Sequence, residues 1–167
     1  DDVRSFLHIG HAKTRTYDHS SGFFTPFEDQ GSQGFIIVDG LHALHSARLR
    51  ELYDVRIFLS LDESMRRELK IYRDVNLRGK SLEVTMRDIE RRHGDSLKYI
   101  APQARKADLC FHVARAHSES SGSPIGDDSY ILTVRLKDGS YYLELSNMLI
   151  GLCGLQVDMN PVGDDGS

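Results

Sequence analysis

The sequence has no tryptophan, and only two cysteines and four prolines among its 167 residues. Cys110 and Cys153 sit in the apolar contexts DLCFHV and IGLCGLQV, and no CxxC spacing is present. That excludes a disulfide framework and a cysteine zinc site, and reads as buried free thiols in a reducing compartment. No apolar run reaches membrane-spanning length: Met148–Val157 is the most apolar stretch, and it is too short and too rich in glycine. No signal peptide is apparent, so no membrane association is expected and cytoplasmic is the default compartment. Basic excess is also missing, since the formal net charge is -4. That argues against a general nucleic-acid binder, which carries a positive footprint.

What the chain does have is 40% hydrophobic residues, enough for one ordinary globular domain, and an uneven distribution of charge. Met65–Lys80 (MRRELKIYRDVNLRGK) carries Arg66, Arg67, Lys70, Arg73, Arg78 and Lys80 against Glu68 and Asp74 alone. From Arg115 to Ser167 the balance reverses, with three basic and eight acidic residues. A local basic cluster on an acidic protein points to a discrete anionic ligand.

Periodicity predicts the tail of a helix at Val3–Ile9, ended by Gly10, and loops over His11–Gly34. FIIVD (Phe35–Asp39) reads as a strand buried on both faces, Leu41–Tyr53 as a helix and VRIFLS (Val55–Ser60) as a second strand. Asp62 or Glu63 opens the next helix, with Met65, Leu69, Tyr72 and Val75 inward. Ser81 caps another that runs to about Arg92 and stops at Gly94. DLCFHV (Asp108–Val113) is the third strand. YILTVRL, Lys137-Asp138-Gly139 and SYYLEL together read as a β-hairpin with a DG turn. The expected class is α/β: a mostly parallel sheet flanked by helices, made mixed by a C-terminal antiparallel hairpin. The expected organisation is one domain core over 1–113, a Ser/Gly/Asp-rich loop over 114–128 and the hairpin extension over 129–167.

Four groups of residues could carry chemistry. Asp39 follows the FIIVD strand, at the carboxyl edge where α/β proteins bind ligands, and could hold Mg²⁺; the alternative is an aspartate that caps the following turn. Arg66, Lys70 and Arg73 fall at i, i+4 and i+7 on one helix stripe, and Arg78 follows beside Gly79. Arginine forks and a lysine ammonium suit phosphate oxygens; the alternative is a solvated helix face. Lys13, Arg15, Tyr17 and His19 fall in one polar segment that could bind a sugar phosphate. His42 and His45 read as decoration of a helix more than as metal ligands. Pro102 stops any helix in the loop Tyr99–Gln103, for which periodicity suggests no function.

Taken in order, the motifs YDH (Tyr17–His19), IIVDGLHAL (Ile36–Leu44), LRELYDVRIFL (Leu49–Leu59), KIYRDVNLRGKS (Lys70–Ser81) and YIAPQARKADL (Tyr99–Leu109) resemble the phosphoribulokinase/uridine kinase family of P-loop kinases. The YILTVRLKDGSYYLEL segment is similar to the phosphoribulokinase branch, whose core continues into extra antiparallel strands. The resemblance implies a partial P-loop-kinase-like fold, ATP and Mg²⁺ as cofactors, and ATP-dependent phosphoryl transfer to a sugar-phosphate hydroxyl, with ribulose 5-phosphate the default acceptor. It implies that Lys70, Arg73 and Arg78 are the lid's phosphate contacts and that Tyr17 and His19, with Lys13 and Arg15, lie near the acceptor. It also implies Asp39 as the acid of the second nucleotide motif, where phosphoribulokinases commonly have glutamate, and Pro102 and Gln103 near the adenine.

One element of such kinases is missing: the 167 residues contain no G-x-x-x-x-G-K-[ST]. By the resemblance, the phosphate loop and the catalytic base come from a segment before the region matching Asp1, so this chain is expected to be inactive alone. Two alternatives stand beside the pentulose-phosphate kinase: a uridine or nucleoside kinase, and a non-catalytic kinase-like module that binds a phosphorylated ligand or a partner. A third is an oligomerisation domain that pairs through an open sheet edge, with a homo-oligomer as the simplest case.

Overall fold

The structure, a computed structural model, describes residues 2–18, 21–31, 34–115, 130–139 and 142–153. The chain opens with helix α1 (Asp2–Ile9), closed by Gly10 at φ 74°. A β arm follows, where the sequence suggested only loops. Strand β1 (His11–Thr14) pairs antiparallel with β4 (Glu28–Gly31), and β2 (Tyr17–Asp18) pairs with β3 (Phe23–Phe24). Strands of two and four residues are too short to show a period, so the pattern could not reveal them.

FIIVD does not enter the sheet. Only Phe35 makes an isolated strand-like bridge, and Phe35 and Ile37 are 92% and 91% exposed. A strand buried on both faces needs hydrogen-bonded neighbours on its edges and cover above and below, and the described residues provide neither here. The expected helix over Leu41–Tyr53 shrinks to turns around a four-residue helix α2 (Ala47–Arg50).

The central sheet has the order β5-β6-β7, built from β5 (Ile57–Leu61), β6 (Leu109–Arg115) and β7 (Tyr130–Leu136). Strands β5 and β6 are parallel and β7 is antiparallel to β6, so the sheet is mixed as expected. Its entry edge is pinned by Asp108, which accepts from Arg56 Nε at 2.9 Å, Nη2 at 2.6 Å and the Arg56 backbone N–H at 3.0 Å. These bonds hold the Asp108 carboxyl below its usual range. The mixed character comes from one strand and not from a hairpin: SYYLEL runs instead into helix α5 (Tyr142–Cys153). Alternation is brief, and Leu145, Met148 and Leu149 follow helical spacing.

The parallel crossover carries helix α3 (Glu63–Tyr72), a π-helical turn (Arg73–Leu77) and helix α4 (Leu82–Asp95). Asp62 caps α3 by accepting from Ser64 N–H, and Ser81 caps α4 by accepting from Val84 N–H at 3.3 Å, both as the sequence indicates. Ser81→Ala should cost about 1 kcal/mol, read as a lower urea midpoint with an unchanged slope. Gly94 does not stop α4. The helix runs on to Asp95, then through a π turn (Ser96–Ile100) and a 3₁₀ turn (Ala101–Lys106) with Pro102 in its first turn. Glycine inside a helix costs only about 1 kcal/mol, and it ends a helix only where the chain turns left-handed.

Among the described residues, the buried apolar side chains are few: Ala12, Leu44, Met65, Ile89 and Ala107. Asp74, Thr85 and Gln103 are buried with them. Cys110 is half-buried in β6, and the side chain of Cys153 lies outside the described residues.

Candidate phosphate site

Asp74 is fully buried at 0% exposure, and four cations converge on its carboxylate. Lys70 Nζ is 2.7 Å from Oδ2, Arg73 Nε 3.1 Å and Arg78 Nη1 3.4 Å from Oδ1, and Lys80 Nζ 3.8 Å from Oδ2. The local chain explains the convergence. Lys70, Asp74 and Arg78 are successive i, i+4 neighbours, which share one face of a helix. The π turn adds a residue to that turn, closing with Arg78 N–H on the Arg73 carbonyl at 3.1 Å. Gly79, at φ 66°, reverses the chain so that Lys80 N–H donates to the Asp74 carbonyl at 2.9 Å.

Burial alone would raise the Asp74 pKa. The Lys70 hydrogen bond, followed by that of Arg73, wins and holds it at about 2. Asp74 is therefore ionised at neutral pH and offsets one of the four positive charges. Lys70 turns inward, with its side chain 19% exposed, whereas Arg73, Arg78 and Lys80 are 49%, 53% and 41% exposed. The result is a set of preorganised donors, open to solvent on the outside and pinned by a buried anion underneath.

The predicted stripe is only partly realised. Lys70 and Arg73 meet, but Arg66 turns away to make two hydrogen bonds with Glu63, at 2.8 and 2.7 Å. Asp74, the centre of the cluster, appeared in the sequence only as a minor offset to the basic run. Its i, i+4 relation to both Lys70 and Arg78 was the available signal.

The acceptor-side candidates lie on the β arm. The Arg15 guanidinium stacks over Phe24 at 4.3 Å and Phe27 at 5.0 Å, and Tyr17 meets Phe24 edge-on at 5.1 Å. Lys13 is exposed on β1, and His19 lies outside the described residues. Asp39 is exposed at the end of the irregular FIIVD segment. No group of three or more His, Cys, Asp or Glu side chains gathers as a metal site among the described residues. A single carboxylate fits Mg²⁺ only in the mode where the ion keeps its waters and arrives on nucleotide phosphates. His42 and His45 pack edge to face at 5.7 Å, and His45 does the same with Tyr99 at 6.1 Å.

Gln103 is fully engaged by backbone. Its Nε2 donates to the carbonyls of Leu41 at 2.9 Å and Tyr99 at 2.8 Å, and its Oε1 accepts from Leu44 N–H at 3.0 Å. Both amide hydrogens are thus engaged, one with the turn after Asp39 and one with the π turn at Tyr99.

A mixed sheet with a cation-lined helical crossover defines an α/β protein that gathers four cations on one buried carboxylate. The chain belongs to the phosphoribulokinase/uridine kinase family, whose profile, described as "Phosphoribulokinase / Uridine kinase family", it matches over residues 2–119. It is 35% identical to the chloroplastic phosphoribulokinase of Spinacia oleracea over 72% of this chain and 29% of that protein. It is 30% identical to the phosphoribulokinase of Synechocystis over 88% of this chain and 43% of that protein. A uridine kinase of Streptococcus equi is 44% identical over 32% of this chain and 26% of its own length. The fold is similar to that of the phosphoribulokinase from Rhodobacter spheroides, with a TM-score of 0.60 at 20% identity, over 89% of this chain and 58% of that one. The chain thus spans less than half the length of these curated relatives. No helix among the described residues is long and apolar enough to cross a membrane.

Proposed function

We propose that this chain contributes the phosphate-gripping lid of an ATP-dependent sugar-phosphate kinase, which transfers a phosphoryl group to a hydroxyl of a pentulose phosphate. Ribulose 5-phosphate is the default acceptor. The observation that carries this reading is the Asp74 cluster, whose outward cations are held ready for a multiply charged oxyanion. Phosphoryl transfer needs positioning and charge neutralisation more than covalent help. Arg73 and Arg78 would hold and neutralise phosphate oxygens, Lys70 would support them from beneath, and Tyr17, His19, Lys13 and Arg15 would face the acceptor. Mg²⁺ would enter on the ATP phosphates, where it shields their charge, with Asp39 as its protein carboxylate. A pentulose phosphate is favoured over a nucleoside because the likeness to phosphoribulokinases extends over 72% and 88% of the chain, and that to the uridine kinase over 32%.

The 167 residues contain no G-x-x-x-x-G-K-[ST], so turnover by the chain alone is not expected. Binding is the first test. Isothermal titration should show uptake of ATP–Mg²⁺ and of ribulose 5-phosphate, and none of uridine. Sugar-phosphate binding without ATP binding would instead favour a non-catalytic module, and uridine uptake a nucleoside kinase. Arg73→Ala and Arg78→Ala should each weaken phosphate-ligand binding roughly tenfold, since a charge-assisted hydrogen bond contributes about 1.5 kcal/mol. Both side chains are half-exposed and three cations stay on Asp74 in either variant, so unfolding midpoints should fall only modestly, well short of the loss in Asp74→Asn. A large drop in stability with unaltered binding would make these arginines structural.

A further inference from the structure

We propose that Lys80 is a fourth phosphate-binding cation of this site, held in reserve by Asp88. The inference rests on reading the Asp74 cluster as a phosphate site and adds a member to it. Lys80 follows the sharp turn at Gly79, and its backbone N–H is fixed to the Asp74 carbonyl at 2.9 Å. Its root is therefore as well placed as that of any predicted phosphate contact. Its ammonium is not: it lies 3.8 Å from Asp74 Oδ2 and 3.4 Å from Asp88 Oδ2, with 41% of the side chain exposed.

Lys70 offers the contrast, at 2.7 Å from Asp74 and 19% exposed. A strong ammonium–carboxylate bond measures about 2.7–2.9 Å. Lys70 makes one; Lys80 is shared loosely between two carboxylates and commits to neither. A four-carbon stem with free rotation lets such an ammonium turn to a third anion at small cost. Asp88 would not be stranded by the move, because Arg91 Nη2 holds its other oxygen at 3.1 Å.

Charge favours the transfer. A phosphoryl group presents about two negative charges and three acceptor oxygens, against the single charge of Asp88. With Arg73 and Arg78 each about half-exposed beside it, Lys80 completes a set that fits a polyphosphate chain better than one isolated monoanion. Asp88, on α4, competes with the ligand for this lysine and so sets how tightly the site grips.

The test titrates the full 167-residue chain with inorganic tripolyphosphate at low salt, alongside Lys80→Ala, Lys80→Arg, Asp88→Asn and Arg73→Ala. Lys80→Ala should weaken binding about fivefold and Lys80→Arg should keep it near the parent value. Asp88→Asn should tighten binding about two- to threefold, because it releases the ammonium. Opposite signs at the two ends of one ion pair are the signature, since a merely structural pair would shift unfolding midpoints alike and leave binding unmoved. Should Lys80→Ala fail to fold, the sign of the Asp88→Asn effect decides, and unchanged or weaker binding there overturns the proposal. Parent binding that falls in Arg73→Ala but not in Lys80→Ala overturns the role of Lys80 alone. No tripolyphosphate binding by the parent overturns this proposal and the phosphate-site reading with it.

Discussion

Replacing Asp74 with asparagine is expected to lower the unfolding free energy at pH 7 by about 2–4 kcal/mol. Two routes bracket that figure. A carboxyl held at about 2 when folded, against 3.8 when free, contributes roughly 2 kcal/mol of linkage stability. Removing one member of a buried ion pair typically costs about 3–5 kcal/mol because the partner is left uncompensated. Here three of the four cations reach water once released, so the lower end applies. The sign with pH follows from the lowered folded pKa: the contribution is complete above about pH 4 and disappears as pH falls toward 2. Urea midpoints should therefore differ strongly between parent and variant at neutral pH and converge in acid. Equal midpoints at pH 7 would show that the cations repel one another little and that the carboxylate anchors nothing.

The parts of the molecule that were legible in the sequence are those stabilised by local or single-strand signals. The caps at Asp62 and Ser81, and the strands β5 and β6, belong to that class. So do the cations, whose spacing alone placed Lys70 and Arg73 together. What escaped depends on partners remote in sequence. FIIVD has the composition of a central strand, yet pairing is made by neighbours and not by composition. SYYLEL alternates only briefly, which a helix tolerates when Leu145, Met148 and Leu149 follow helical spacing. Asp74 was hidden by arithmetic: counted with the charges it is one acid among eight ionisable residues, whereas burial makes it the group that organises the rest. Arg66 went the other way, captured by Glu63 one turn back, a short-range competitor that a stripe drawn on a helical wheel ignores.

Gln103 should prove the second-largest lever on stability, with Gln103→Leu expected to cost about 3 kcal/mol. The side chain is 5% exposed and makes three hydrogen bonds to backbone separated from it by up to 62 residues. Leucine fills similar volume, so cavity formation contributes little. The cost comes first from the Leu44 N–H, whose bond is buried, and then from the Leu41 and Tyr99 carbonyls, whose part-buried bonds lose their amide donor. A net neutral hydrogen bond contributes about 1 kcal/mol, and stranding a buried partner adds to that. Gln103→Glu separates the clamp from mere shape: it keeps the acceptor toward Leu44 but sets a carboxylate against two carbonyls, so at pH 7 it should be at least as damaging as leucine. Hydrogen exchange at Leu44 and its neighbours should quicken in both variants, since the turn from Leu41 to His45 would lose its tie to the 3₁₀ turn. Adenine recognition through this amide makes the opposite forecast, namely weakened ATP binding with stability and exchange unchanged. The turn in question follows Asp39 directly. A clamp at Gln103 would therefore reach nucleotide binding only by holding that turn in place, and any loss of ATP affinity in Gln103→Leu should scale with the faster exchange rather than precede it.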